Sequence, residues 1–231
     1  MKYLESQCSI MISNKNSKLK NKLKNGDSAS IVCFGNSITW GHILPSYLTK
    51  KPTKDNYPFN LEKILRKYYK NKKIKVFNEG HDGWTVNDAL KKENGIKKVL
   101  LIKPDLVIIM FGVIEVISFP RIKLEDYIKG LNKLILKIKK SGSEVLLMSP
   151  TPIFVFDKEL SLYSKKTIYF AKENKLDFID MRKEVFNYMK KNNLHKWNIL
   201  KIDNVHFQED KYKIISEIVF NKYFLKLLKN T

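Results

Sequence analysis

The chain has 231 residues, 43% of them hydrophobic, with 13 Phe and 11 Tyr; this suffices for a sizeable core in one compact domain and excludes disorder over the whole length. The formal charge of +21 would suit nucleic acid or an anionic surface, but only Arg66, Arg121 and Arg182 among the 44 basic residues are arginine. Lysines scattered along the chain, with so few of the side chains best suited to read bases and phosphates, argue against a nucleic-acid partner.

The N-terminus carries no long apolar run, and Glu5, Ser6 and Gln7 interrupt what there is. A secretory signal is not expected, and a cytoplasmic location follows. Residues 1–14 read as a loose arm ahead of a domain over 15–231. A helix is expected over 15–24, stopped by Gly26, then a first strand over 30–34 in the run Ile31-Val32-Cys33-Phe34. Cys33 in that strand reads as core filler, and with Cys8 the only other cysteine no disulfide framework is implied. Further strands are expected over 74–77, 105–111, 144–148 and 178–179. Helices fill the intervals over 57–69, 86–92, 96–102, 124–140, 158–174, 182–191 and 209–228. The run over 106–117 is too short to span a bilayer and carries Glu115, so no transmembrane segment is expected. Continuously apolar strands alternating with helices argue a three-layer α/β/α sandwich around a mostly parallel five-stranded sheet. Sites in such sheets form at the carboxyl ends of the strands. That rule puts Ser37, Gly80, Gly112 to Glu115 and Pro150 to Pro152 on one rim.

Ser37 follows the first strand in Gly35-Asn36-Ser37-Ile38-Thr39-Trp40-Gly41. A serine hydroxyl becomes a nucleophile only with a base to take its proton and donors to hold the oxyanion it creates. Asn and Ser before a helix are also ordinary caps. His206 is the candidate base, and Asp203, three residues earlier, is close enough in a turn to orient its ring. His42, His81 and His195 have no acidic residue at an equally convincing spacing, although Asp82 adjoins His81. No Cys/His cluster has metal-ligand spacing, so neither a metal nor another cofactor is expected.

Taken together, these blocks resemble the SGNH (GDSL-type) hydrolase superfamily. Residues 34–41 are similar to its first block, with Asn36 where Asp is usual. Asn78-Glu79-Gly80 resembles the second, Lys103-Pro104-Asp105 and the strand after it resemble the approach to the third, and Asp203-Asn204-Val205-His206 resembles the last. Leu23-Lys24-Asn25-Gly26 is similar to the approach seen in some carbohydrate-esterase members. The resemblance implies a flavodoxin-like SGNH fold, a Ser37–His206–Asp203 triad, and an oxyanion hole built from the N–H groups of Ser37 and Gly80.

One block departs. The superfamily's third block is usually Gly-x-Asn-Asp, its Asn side chain donating to the oxyanion, and here it reads Gly112-Val113-Ile114-Glu115. Ile114 has nothing to donate, and losing one such donor costs ~10²–10³ in turnover; Asn36 and His81 are candidate substitutes. The implied function is a serine esterase acting on a small acyl ester, an O-acetyl group on a carbohydrate among the options. Two readings stay open beside it: a catalytically impaired relative that binds a glycan or protein, and an acyltransferase using the same triad. The implied partner is a small-molecule or glycan ester. Tyr47, Phe154 and Phe156 are candidates to shape its pocket, and the sequence sets no oligomeric state.

Overall fold

The computed structural model describes residues 10–11, 17–43 and 52–229. Tyr47 and Cys8 lie outside the described residues. Among the described residues six strands form one sheet: β1 (Ile10–Met11), β2 (Ala29–Gly35), β3 (Ile74–Gly80), β4 (Leu106–Met110), β5 (Glu144–Met148) and β6 (Asp177–Ile179). Their spatial order is β1-β6-β5-β4-β2-β3. The five strands from β2 onward are mutually parallel, as the sequence led one to expect. Their order is that of flavodoxin-like sheets. Of the segment read as an arm, Ile10 and Met11 pair antiparallel with Ile179 and Phe178 at the sheet edge.

The central strands β2 and β4 are almost entirely apolar because both of their faces are covered. In β2, Ile31 and Cys33 face one core and Val32 and Phe34 the other; in β4, Leu106, Ile108 and Met110 oppose Val107 and Ile109. Burial pushes the Cys33 thiol far up, as suits core filler. One layer contains α1 (Lys18–Asn25), α3 (Tyr57–Tyr69), α9 (Met181–Lys191) and α10 (Lys213–Val219). The other contains α4 (Val86–Lys91), α5 (Ile96–Leu101), α7 (Leu124–Lys140) and α8 (Asp157–Glu173). Helix ends obey their local chemistry. Ser17 caps α1, which ends at Gly26 with φ 71°, and Thr85 and Asp88 form a reciprocal capping box on α4. No helix among the described residues is long and apolar enough to cross a membrane.

Two short helices follow strand ends: α2 (Ser37–Trp40), a single turn, and α6 (Val113–Ile117), for which no helix is expected from the sequence. The helix expected over 209–228 is instead broken. A 3₁₀ turn at Glu209–Lys211 precedes α10, and a π turn at Phe220–Phe224 leads into α11 (Leu225–Lys229). Within the π turn Tyr223 and Phe224 are both buried.

The sheet order reverses at β2: β3 lies on one side of it and β4 on the other. The crevice at the carboxyl end of β2 is therefore the expected ligand site, and the chain leaves β2 straight into Ser37.

Candidate active site

Ser37 is the first residue of α2, capped by Asn36, whose Oδ1 accepts the Ile38 N–H at 3.0 Å. Gly35 makes the tight exit from β2 possible: a Cβ there would lie 2.2 Å from Thr39 Oγ1 and 2.5 Å from the Met110 carbonyl oxygen. As the first residue of a helix, Ser37 has an N–H with no intrahelical acceptor. At the other end of α2, Gly41 adopts φ 86°, and the N–H groups of Gly41 and His42 both donate to the Ser37 carbonyl, at 2.9 and 3.1 Å. The nucleophile candidate itself is only 1% exposed.

Asp203 and His206 share one turn. Asp203 Oδ1 accepts the N–H groups of Val205 and His206, each at 3.0 Å, and Asn204 takes φ 57° to close the turn. The turn is pinned from both sides: Lys201 N–H donates to the His206 carbonyl at 2.8 Å, and Phe154 N–H donates to the Asn204 carbonyl at 2.9 Å, tying in the loop after β5. Asp203 Oδ2 lies 2.6 Å from His206 Nδ1, and His206 Nε2 lies 3.0 Å from Ser37 Oγ, across 169 residues of sequence. An ionised Asp203 can only accept, so Nδ1 carries the proton and Nε2 is left to accept from the serine hydroxyl. Burial opposes the charge on Asp203, but the bonds from the His206 ring and from the two N–H groups outweigh it and hold the carboxyl at about 2.

The second block ends β3. A Cβ at Gly80 would sit 2.1 Å from the Trp40 nitrogen and 2.5 Å from the Thr39 carbonyl carbon, so only glycine lets β3 approach α2 this closely. The Gly80 N–H donates to Asn78 Oδ1 at 2.9 Å, while Asn78 Nδ2 donates to the Trp40 carbonyl at 3.2 Å.

In the third block, Gly112 takes φ 119° and opens α6. The carboxylate of Glu115, 0% exposed, accepts the Gly112 N–H at 2.8 Å and the Val86 N–H at 2.7 Å. The longer stem of glutamate therefore reaches both its own turn and the start of α4. Burial raises Glu115 to about 7, against the pull of those N–H bonds. Ile114 is half-buried on the same turn.

Of the suggested substitutes for the missing donor, Asn36 is the cap of α2. His81 is stacked on Trp84, ring centroids 3.8 Å apart, and burial, with Lys98 and Lys92 nearby, pushes it down to about 4. Phe154 packs against the core, whereas Phe156 is half-exposed beneath the Arg121 guanidinium.

Nothing in its sequence spacing singles out His42. Its ring is 4% exposed and stacks on His206, centroids 4.1 Å apart and planes 22° from parallel. Its Nδ1 lies 3.1 Å from Asp82 Oδ1. Asp82 thus partners a histidine 40 positions away rather than its neighbour His81, a pairing that local spacing cannot reveal. Among the described residues, His42, Asp82 and His206 are close enough to consider for a metal. Stacked rings, however, aim their lone pairs along parallel planes, and both nitrogens of His206 are already engaged.

A model of the GDSL-like lipase/acylhydrolase family matches residues 33–214. No curated protein sequence matches the chain significantly. Among solved structures, a catalytic mutant of an acetylxylan esterase from Geobacillus stearothermophilus superposes with a TM-score of 0.71 at 24% identity, covering 86% of this chain and 95% of that one. Another mutant, described as an acetyl-xylooligosaccharide esterase, gives 0.70 at 25% identity over the same shares. A lipase/acylhydrolase from Enterococcus faecalis gives 0.70 at 23%, covering 86% and 96%. The chain belongs to the GDSL-like lipase/acylhydrolase family and is a carboxylic ester hydrolase.

Proposed function

We propose that the chain hydrolyses small acyl esters, O-acetyl groups on a carbohydrate in particular, with Ser37 as nucleophile, His206 as base and Asp203 as the group that orients and stabilises the imidazolium. Ser37 Oγ attacks the carbonyl carbon as its proton passes to His206 Nε2, and the oxyanion forms against the N–H groups of Ser37 and Gly80. The tetrahedral intermediate expels the alcohol, which takes the proton from Nε2. Water, deprotonated by the same nitrogen, then releases the acid and restores the serine. The observation that carries this reading is the continuous Asp203–His206–Ser37 line, with contacts of 2.6 and 3.0 Å.

A carbohydrate alcohol is supported by the two mutants of the esterase named for xylan and xylo-oligosaccharides. The test is hydrolysis of p-nitrophenyl acetate and of acetylated xylo-oligosaccharides by wild type and Ser37→Ala, with fluorophosphonate labelling of both. Wild type should turn over and label while the variant does neither; equal rates in the two proteins overturn the triad assignment.

A further inference from the structure

The base is gripped at both nitrogens, but two in-plane hydrogen bonds leave an imidazole free to rock about the axis through them. The remaining restraint comes from His42. Its position is built from the same short helix that carries the nucleophile. Ser37 opens α2, and Gly41, in the left-handed conformation, turns the chain so that His42 folds back under His206. The His42 N–H is tied to the Ser37 carbonyl, and the His42 carbonyl accepts the Tyr212 hydroxyl at 3.1 Å, with Tyr212 itself fully buried. Trp40 borders the ring on its own segment, at 6.1 Å between centroids. The charged and titratable groups around it are His206, Asp82 and, at longer range, Lys201.

We infer that His42 is a positioning residue for catalysis: its ring, packed flat on His206, fixes the plane of the base so that Nε2 stays directed at Ser37 Oγ. Because one short segment, α2 and the residue after its Gly41 cap, carries both Ser37 and His42, nucleophile and ring support move together. Burial, and then the neighbouring His206, lower the pKa of His42. Near neutral pH it is therefore an uncharged ring, suited to lie against another imidazole without repelling the positive charge that His206 acquires during the reaction. Asp82 is half-exposed, so it can lose its partner without leaving a buried charge. The flat ring, rather than the His42–Asp82 contact, is what the base requires.

This inference rests on the triad reading. It is tested with His42→Leu, which keeps bulk but not flatness, and His42→Phe, which keeps the ring without the nitrogens. His42→Leu should lower kcat for p-nitrophenyl acetate by about tenfold to a hundredfold with KM within about twofold, the size of loss expected for a misaligned catalytic group. His42→Phe should recover most of the rate. The proton NMR resonance of His206 Nδ1–H, shifted downfield by the short bond to Asp203, should be sharp in wild type and His42→Phe and broadened in His42→Leu. A leucine variant with wild-type rate and resonance, or two variants equally slowed, overturns the inference. Should wild type prove no faster than Ser37→Ala, the triad reading fails, and the resonance still decides whether His42 holds the ring.

Discussion

The N–H of Gly80 donates to the side-chain oxygen of Asn78, two residues back on the same strand end. The donor assigned to the oxyanion is thus partnered in the resting protein, and Asn78 also holds the Trp40 carbonyl at the end of α2. An amide oxygen shares its donor readily, because a neutral bond is easily stretched to a three-centre one when a charged oxygen arrives. Asn78→Asp should not share it. A carboxylate would hold the Gly80 N–H more strongly, abandon the Trp40 carbonyl and set a negative charge beside the developing oxyanion. For p-nitrophenyl acetate, kcat should fall at least ~tenfold, within the range for one impaired oxyanion donor. An unchanged kcat would remove Gly80 from the oxyanion hole.

The third block offers the converse experiment. Ile114 is half-buried on the first turn of α6, and Glu115 has taken over the task of fixing that turn. Ile114→Asn introduces an amide without disturbing the Glu115 clamp. It should raise turnover by about tenfold to a hundredfold, somewhat less than the full worth of an oxyanion donor because the turn was not shaped around it. A variant that folds and gains nothing places the missing contact elsewhere.

Glycines divide by mechanism. Gly80→Ala puts a methyl 2.1 Å from the Trp40 nitrogen. That is backbone at the end of the nucleophile's own helix, so α2 must shift and Ser37 with it. Activity should drop by ~10² or more, since a displacement near 1 Å suffices for that loss, and the thermal midpoint should fall too. Gly26→Ala meets nothing within 4 Å, but φ is 71° there. It should destabilise by about 1 kcal/mol through the left-handed backbone and leave kcat intact. Comparing kcat and urea midpoints of the two variants separates crowding at the site from strain far from it.

The parts legible in the sequence are those whose signal is local. Strands β4 and, after Glu144, β5 announce themselves because burial on both faces makes their positions apolar, and α3 and α7 appear at their observed bounds because their apolar periodicity is clear, with Asn56 capping α3. Ser37, His206 and Asp203 were legible as blocks in order, although their meeting depends on the sheet. The His42–Asp82 pair and the His42–His206 stack were not, since each joins residues that only the tertiary fold brings together. Helix α6 was hidden for a related reason. Its first turn is fixed by a glutamate that simultaneously holds the N–H of Val86, 29 residues away, and no propensity within five residues encodes that. The π turn at Phe220–Phe224 has no local signal either: its residues are ordinary helix-compatible ones, and nothing in their spacing marks the change of hydrogen-bond pattern.

Glu115 should leave its mark on stability as a function of pH. Burial raises its folded-state value from 4.5 to about 7, so the unfolded chain loses this proton first. The protonated group's contribution is complete below about pH 4.5 and disappears as pH rises through 7, a span equivalent to about 3 kcal/mol. His81 works the other way. Burial lowers it from 6.5 to about 4, so its neutral ring contributes stability above 6.5 that is lost as pH falls toward 4. The two slopes oppose each other over the same interval, and wild type alone can look flat. The informative quantity is the difference between wild type and Glu115→Gln, because glutamine keeps the shape of the clamp, adds only a pH-independent offset for its mismatched amide, and leaves His81 untouched. Urea unfolding at pH 4.5, 5.5, 6.5 and 7.5 should show wild type losing stability relative to Glu115→Gln as pH rises, by about 3 kcal/mol in total. A difference that stays constant would mean that the two backbone N–H groups hold Glu115 ionised despite its burial, and that the clamp on Gly112 and Val86 carries a full charge at every pH tested.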